Sequence, residues 1–361
     1  MNAHDEIERL MVSCQQRGGS DLHISSNWAA MIRVNGALEE ESERQYSNHE
    51  VEQMVMAITN EARQAVFAKQ GQIDFGYSDR TGQRYRINAY REMGKCTLAI
   101  RHLNNIFHSM EELRLPKKLD ELVALKKGLV IMTGATGSGK STTLATLIHE
   151  INKNRRCHII TIEDPVEFVH SNIRALVHQR EVHADTDSFA DAVRASLRED
   201  PDVIMVGEMR DLDTIKAAIT AAETGHLVFS TLHTNDAVGA IERLVGAFPG
   251  DEQDVARNRL SMALQGVVAQ QLIPTSNGRG RIPAIEILRV TTAIANMINA
   301  GKSRQIYSLM ESGNNEGMQT IDQALAMLVK ERWIAKDTAV RLAKNTLSLE
   351  QLIADGGANG R

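Results

Sequence analysis

Aromatic residues make up only 4% of the 361 positions, and the chain has six prolines and three cysteines. Cys14, Cys96 and Cys157 lie far apart and form no CxxC pair, so neither a zinc module nor a disulfide framework is encoded. Spaced this way, the thiols read as small hydrophobes in a reducing compartment. No stretch approaches the roughly 18 apolar residues that a membrane-spanning helix needs. Met1 to Glu8 carry Asp5 and Glu6 and no apolar run, so no signal peptide is predicted. The expected location is the cytoplasm, with any membrane association made through a partner. Excess positive charge is missing too. The chain has 41 basic and 46 acidic residues, a net charge of −5, and no nucleic-acid partner is expected. No internal repeat or low-complexity tract occurs.

Hydrophobic residues at 42% and charged residues at 24% describe a helix-rich globular chain, long enough for two domains. A small α+β domain is expected over 1–104, a linker over 105–117 and a larger α/β domain over 118–361. In the first, Asp21 to Ser25 alternates like a strand, and Met31 to Gly36 reads as a strand closing in an Asn-Gly turn. Val51, Met54, Val55 and Ile58 share one helical face, and Arg84–Asn88 and Thr97–Arg101 read as further strands. After Pro116, apolar runs at Leu129–Thr133, His158–Ile162, Val203–Val206, Leu227–Leu232 and Ala284–Leu288 alternate with helical segments. That is the pattern of a parallel sheet buried on both faces. Helices are expected from Ser188 toward Glu199, over Leu212–Thr224 and from Met318 onward, with a frayed tail from Asp355 to Arg361.

The strongest single signal is Gly134-Ala135-Thr136-Gly137-Ser138-Gly139-Lys140-Ser141, followed by Thr142. It is a full match to G-x-x-x-x-G-K-[ST], entered by an apolar strand and left by a helix. Glycines let main-chain N–H groups turn inward around phosphate oxygens, and the helix N-terminus adds a positive end. Lys140 is expected on the β and γ phosphates and the Ser141 hydroxyl on Mg²⁺. A chance match in a chain of this length is on the order of 1%. Asn-Lys-x-Asp, the guanine-reading signature, is absent, so the expected nucleotide is ATP.

Two further strands end in ionisable residues. Thr161-Ile162-Glu163-Asp164-Pro165 puts two carboxylates at a strand end, where α/β sheets bind ligands. Asp200 to Glu208 ends in four apolar residues followed by Gly207 and Glu208, a Walker B-like strand. Glu208 ranks first as the residue that activates water or holds Mg²⁺, with Glu163 the second candidate. His233, at the far end of Leu227–Leu232, is placed to sense a γ-phosphate. A histidine there is otherwise usually a core residue bonded to a carbonyl. For His226, at the near end, both readings stay open.

Together the phosphate loop, Thr161–Pro165, Gly207-Glu-Met-Arg-Asp211 and Thr224 to Thr234 resemble the Walker A, Asp box, Walker B and His box of the type II/type IV secretion ATPase superfamily. Arg17 to His23, Leu197 to Asp202, Ala221 to Gly225 and Gly317 to Thr320 extend the match over nearly the whole chain. Within the superfamily the chain resembles the type IV pilus retraction ATPases, being short and free of a tetracysteine module. The resemblance implies a RecA-like P-loop ATPase domain with a smaller PAS-like N-terminal domain, assembled as a homohexamer that uses ATP and Mg²⁺. It implies that Arg84 and Arg86, with Arg91 and Arg101 behind them, approach the phosphates from the N-terminal domain. The implied partners are an inner-membrane platform protein, the pilus machinery and a paralogous ATPase. Pilus assembly, type II secretion and an accessory retraction role are the alternatives. One segment departs from the pattern. Retraction ATPases carry Ala-Ile-Arg-Asn-Leu-Ile-Arg-Glu where Ala293 to Ala300 keeps Ile294, Met297 and Ile298 but lacks both arginines and the glutamate. That implies a divergent or accessory motor, or a helix that only packs.

Overall fold

The structure, a computed structural model, describes residues 2–103 and 106–355. Residues 356–361 of the expected tail, and Asn104 and Asn105 at the expected linker, lie outside the described residues. The chain forms two compact units. One comprises Met1–Ile106, Glu163–Val169 and Gln179–Ser188, and the other Phe107–Ile162, His170–His178 and Phe189–Arg361.

In the first unit the chain runs through α1 (Ala3–Gln16), β1 (Asp21–Ser25), β2 (Trp28–Val34), β3 (Ala37–Tyr46), α2 (Asn48–Ala57), α3 (Glu61–Gln70), β4 (Gln72–Ser78), β5 (Arg84–Glu92) and β6 (Lys95–Leu103). The six strands pair antiparallel in the order β3-β2-β1-β6-β5-β4. Asn35 and Gly36 both take positive φ, 50° and 90°, giving the β2–β3 turn the twist that hairpins favour. Ser47 and Glu50 close a capping box on α2. Along β5 burial alternates. Tyr85, Ile87 and Ala89 enter a core with Ile7, Leu22, Met54 and Phe67, which leaves Arg84 and Arg86 on the opposite face.

The second unit holds α4 (Asp120–Val123), β7 (Gly128–Thr133), α5 (Lys140–Asn154), the body of β8 (His158–Glu163) and the start of β9 (Leu176–Glu181). Then follow α6 (Phe189–Ser196), β10 (Val203–Val206), α7 (Leu212–Glu223), β11 (Leu227–Leu232), α8 (Ala237–Gly246), α9 (Gln253–Ala263), β12 (Leu264–Pro274) and β13 (Arg281–Arg289). The chain continues through α10 (Thr292–Asn299), α11 (Ser303–Ser312), α12 (Ile321–Lys330), α13 (Lys336–Leu342) and α14 (Thr346–Asp355). The sheet order is β13-β12-β7-β11-β10-β8-β9. β12, β7, β11, β10 and β8 run parallel, and every residue of β7, β10 and β11 is buried. The α/β fold with a parallel sheet is the one expected.

Two expectations need correction. Ala284–Leu288 was expected in the parallel set, but it lies in β13, which pairs antiparallel with β12. Only Thr275 to Gly280 join the two strands, too few residues for a parallel crossover. The helix expected from Ser188 toward Glu199 covers Phe189–Ser196, and the chain then turns, with Asp200 at φ 55°. Segment 293–300 does form a helix, α10, with Ile294 and Ile298 buried.

Candidate active site

β7 delivers the chain into the phosphate loop, and α5 begins at Lys140. Gly134, Gly137 and Gly139 all take positive φ, at 146°, 77° and 86°. A Cβ at Gly134 would collide with the Gln270 carbonyl, and one at Gly139 would stand 2.8 Å from Gln270 Nε2. At Gly137 nothing lies within 4 Å, so the loop there is open. Gln270, 2% exposed, clamps the loop from β12. Its Nε2 donates to Ser138 O at 2.8 Å, and its Oε1 accepts from Thr143 Oγ1 at 2.8 Å. Lys140 donates to Gly134 O at 2.7 Å and to Ala135 O at 3.0 Å. Burial pushes its ammonium below the ordinary lysine value, and Glu208 pulls it partly back.

Glu208 follows β10 on a segment fixed from both sides. Gly207 N donates to Ile162 O, Met209 N to Thr231 O, and Thr231 Oγ1 to Gly207 O. One carboxylate oxygen lies 2.7 Å from Arg210 Nε and the other 3.4 Å from His233 Nε2. Thr133, just before the loop, exchanges main-chain and hydroxyl hydrogen bonds with Thr234, just after His233. Hence Lys140, Glu208 and His233 form one group at the carboxyl ends of β7, β10 and β11. His226 is not part of it. It caps the start of β11 by bonding to Ala221 O, about 20 Å from His233 along the strand.

Glu163 and the expected arginines belong to the first unit. Glu163 accepts from Gln179 Nε2 at 3.1 Å. Arg84 donates to Val166 O at 3.0 Å, to Ser78 Oγ at 3.2 Å and to Glu181 at 3.3 Å. Arg86 forms a two-pronged pair with Asp74. Arg91 pairs with Glu52 and Arg101 with Asp21.

A cavity of about 300 Å³ opens beside the loop, bounded by Gly139, Thr142 and Thr143 and by Leu272, Ile282 and Trp333. The Arg114 guanidinium lies 3.7 Å from the centre of the Trp333 ring. Neither Gln270, Arg210 nor this cavity was expected. Gln270 lies more than a hundred residues from the loop it clamps, and no local pattern marks it. Arg210 stood inside the Walker B-like motif and was the more discoverable of the two.

Residues 4–352 match the family described as type II/IV secretion system protein. The chain belongs to that family. Relatives from Pseudomonas aeruginosa include two pilus ATPases. The type IV pilus retractation ATPase PilT is 42% identical over 94% of this chain and 98% of its own length. The type IV pilus ATPase PilU is 39% identical over 97% of this chain and 92% of its own. A crystal structure of the pilus retraction motor PilT with bound ADP superposes with a TM-score of 0.86 at 40% identity, covering 97% of this chain and 99% of that one. This family member is an ATPase.

The residues present fit a nucleotide. Positive-φ glycines open the loop, the buried Ser138 hydroxyl has no hydrogen-bond partner, and a lysine and a carboxylate flank the start of α5. A hydroxyl at Ser141 and a carboxylate at Glu208 are the hard oxygen donors that Mg²⁺ takes. No described helix is long and apolar enough to cross a membrane.

Proposed function

We propose that the chain is an ATP-driven motor that withdraws type IV pili, acting as a homohexamer on an inner-membrane platform protein. The observation that carries this reading is the glycine-opened loop with Lys140 and Glu208 at the carboxyl ends of a parallel sheet, in a chain alike over nearly its full length to a retraction ATPase. In this reading 1–104 form the N-terminal domain, 105–117 the linker and 118–361 the ATPase domain. Main-chain amides of Gly134 to Thr142 cradle the phosphates, and the neighbouring cavity takes the purine, with Arg114 and Trp333 as its flat wall. Lys140 binds the β and γ oxygens, while Ser141 and Glu208 would hold Mg²⁺. When bound, Mg²⁺ neutralises charge on the oxygens that develop it during cleavage. Glu208, on an oxygen shared with His233, orients the attacking water, and His233 reports the γ-phosphate to β11. Glu163 is the other candidate base. Arg84 and Arg86 stabilise transition-state charge.

The test is Lys140→Ala in the native gene. ATP turnover of the purified variant falls to background, and cells carry excess pili and stop twitching. Bald cells would instead assign the chain to assembly, and unchanged turnover would remove the site. A second reading has support of its own: likeness to PilU and the altered 293–300 segment favour an accessory motor working with a paralogue. It requires that a deletion strain still retracts, and that the paralogue's deletion abolishes the remainder.

A further inference from the structure

One buried carboxylate in the first unit has no role so far. Glu181, at the end of β9, has a side chain only 9% exposed and receives donors from separate segments of that unit. Its Oε1 accepts from Arg63 of α3 at 2.6 Å and from Gly76 N of β4 at 3.2 Å. Its Oε2 accepts from Arg84 of β5 and from Val166 N, both at 3.3 Å. The strand end is itself fixed, since Glu181 N donates to Asp185 Oδ2 at 2.8 Å and Asp185 N to Glu181 O at 2.8 Å. The fit depends on a missing side chain. A Cβ on Gly76 would collide with Arg84 Nη2 and stand 2.6 Å from Glu181 Oε2.

One carboxylate between two guanidiniums leaves net positive charge in a place where charge is costly. The shorter bond goes to Arg63, so Arg63 takes most of the neutralisation. Arg84 is steered more by neutral acceptors, Val166 O and Ser78 Oγ, and its Nε is buried with no partner. A group meant only to fasten the fold would balance its charge and fill its donors. This one holds an arginine in a fixed direction and leaves it under-neutralised, as a binder of a transient anion requires. Val166 lies three residues from Glu163, so the same carboxylate also fastens the acidic segment to β4 and β5.

We infer that Glu181 is a positioning residue for ATP hydrolysis: it fixes the Arg84 guanidinium and ties the Glu163–Val169 segment to β4 and β5. The inference rests on the reading above that Arg84 acts on nucleotide. The experiment is steady-state ATP hydrolysis by the full-length chain as Glu181→Gln, Gly76→Ala, Arg84→Ala and the two doubles with Arg84→Ala. Glu181→Gln and Gly76→Ala each lower kcat roughly tenfold with KM within about twofold, the pattern of a lost transition-state contact. Each double is no slower than Arg84→Ala alone, because both changes act through that arginine. If Glu181→Gln does not fold, Gly76→Ala carries the test without altering charge. Unchanged turnover in Arg84→Ala overturns the arginine's role and the inference with it. A slow Arg84→Ala beside a fully active Glu181→Gln, or doubles whose losses multiply, overturns the inference alone.

Discussion

The two units hold their polar groups by different means. Around the phosphate loop the partners are main-chain carbonyls and one neutral amide: Lys140 rests on its own loop, and the loop rests on Gln270. In the first unit charged partners join in, although Arg84 also rests on Val166 O and Ser78 Oγ. Arg63, Arg84 and Arg86 meet Glu181 and Asp74 across strands and across long stretches of sequence. Main-chain partners fix a site whatever the neighbouring side chains do, whereas ion pairs make each arginine depend on a distant residue. The contrast bears directly on which carboxylate activates water. Glu208 stands with the loop lysine in one unit and Glu163 with the arginines in the other. Glu208→Gln is expected to cut ATP turnover by about 10²–10⁴-fold while nucleotide still binds, and Glu163→Gln to cut it far less. Single-turnover hydrolysis decides it. The reverse ranking would move the base to the arginine-bearing unit and break the comparison.

Gln270 tests the other half of the contrast. Replacing it by alanine leaves Ser138 O and Thr143 Oγ1 without their buried partner, a loss of about 1–3 kcal/mol. Because the loop is what it holds, the effect should reach binding: affinity for ADP falls roughly tenfold, measured by calorimetric titration. Unchanged affinity would mean that the loop keeps its shape without the clamp.

The same contrast explains what could be read from the sequence. Gly134 to Ser141, Val203 to Glu208 and Leu227 to His233 are contiguous, and each strand is mostly apolar because both of its faces are covered. The parallel sheet and the lysine–glutamate–histidine group were therefore legible. β13 was misread as parallel, since an edge strand with both faces covered is as apolar as a central one. β3 was missed for the opposite reason: nearly all of its residues are exposed, so neither alternation nor a hydrophobic run marks it. The Glu181 cluster was invisible because it joins residues 63, 76, 84, 166 and 181, and no spacing rule connects them. His226 and His233 looked alike as strand-end histidines. Only the direction of β11 separates them.

Stability should echo the difference on a smaller scale. Asp236 caps α8, accepting from Gly239 N at 2.6 Å and from Lys344 Nζ at 2.9 Å. Asp236→Ala should cost about 1–2 kcal/mol in urea unfolding, which links the end of the histidine-bearing segment to the helices near the C-terminus. A loss near zero would show that the Lys344 contact and the cap are both dispensable.

The smallest effect concerns Glu286 of β13, the buried carboxylate that the second unit sets against Glu181 of the first. It is 1% exposed, Ala237 N donates to its Oε1 at 2.8 Å, and its Oε2 has no partner. No cation pairs with it among the described residues. Burial raises its carboxyl above the ordinary glutamate value of 4.5, and nearby Lys344 and Asp236 act in opposite directions. The sign follows from proton counting. Between 4.5 and the raised value the folded chain binds more protons than the unfolded one, so this group's contribution declines as pH rises through that window and stays low above it. Glu286→Gln keeps an acceptor for Ala237 N and cannot ionise. The variant should therefore be more stable than the parent at pH 8, with the gap closing as pH is lowered toward 4.5. Urea titrations of both proteins across that range measure it, and a gap independent of pH would mean that Glu286 carries no buried charge. Glu181, held by two guanidiniums, should give no such gain when made neutral, because its loss strands Arg63 and Arg84.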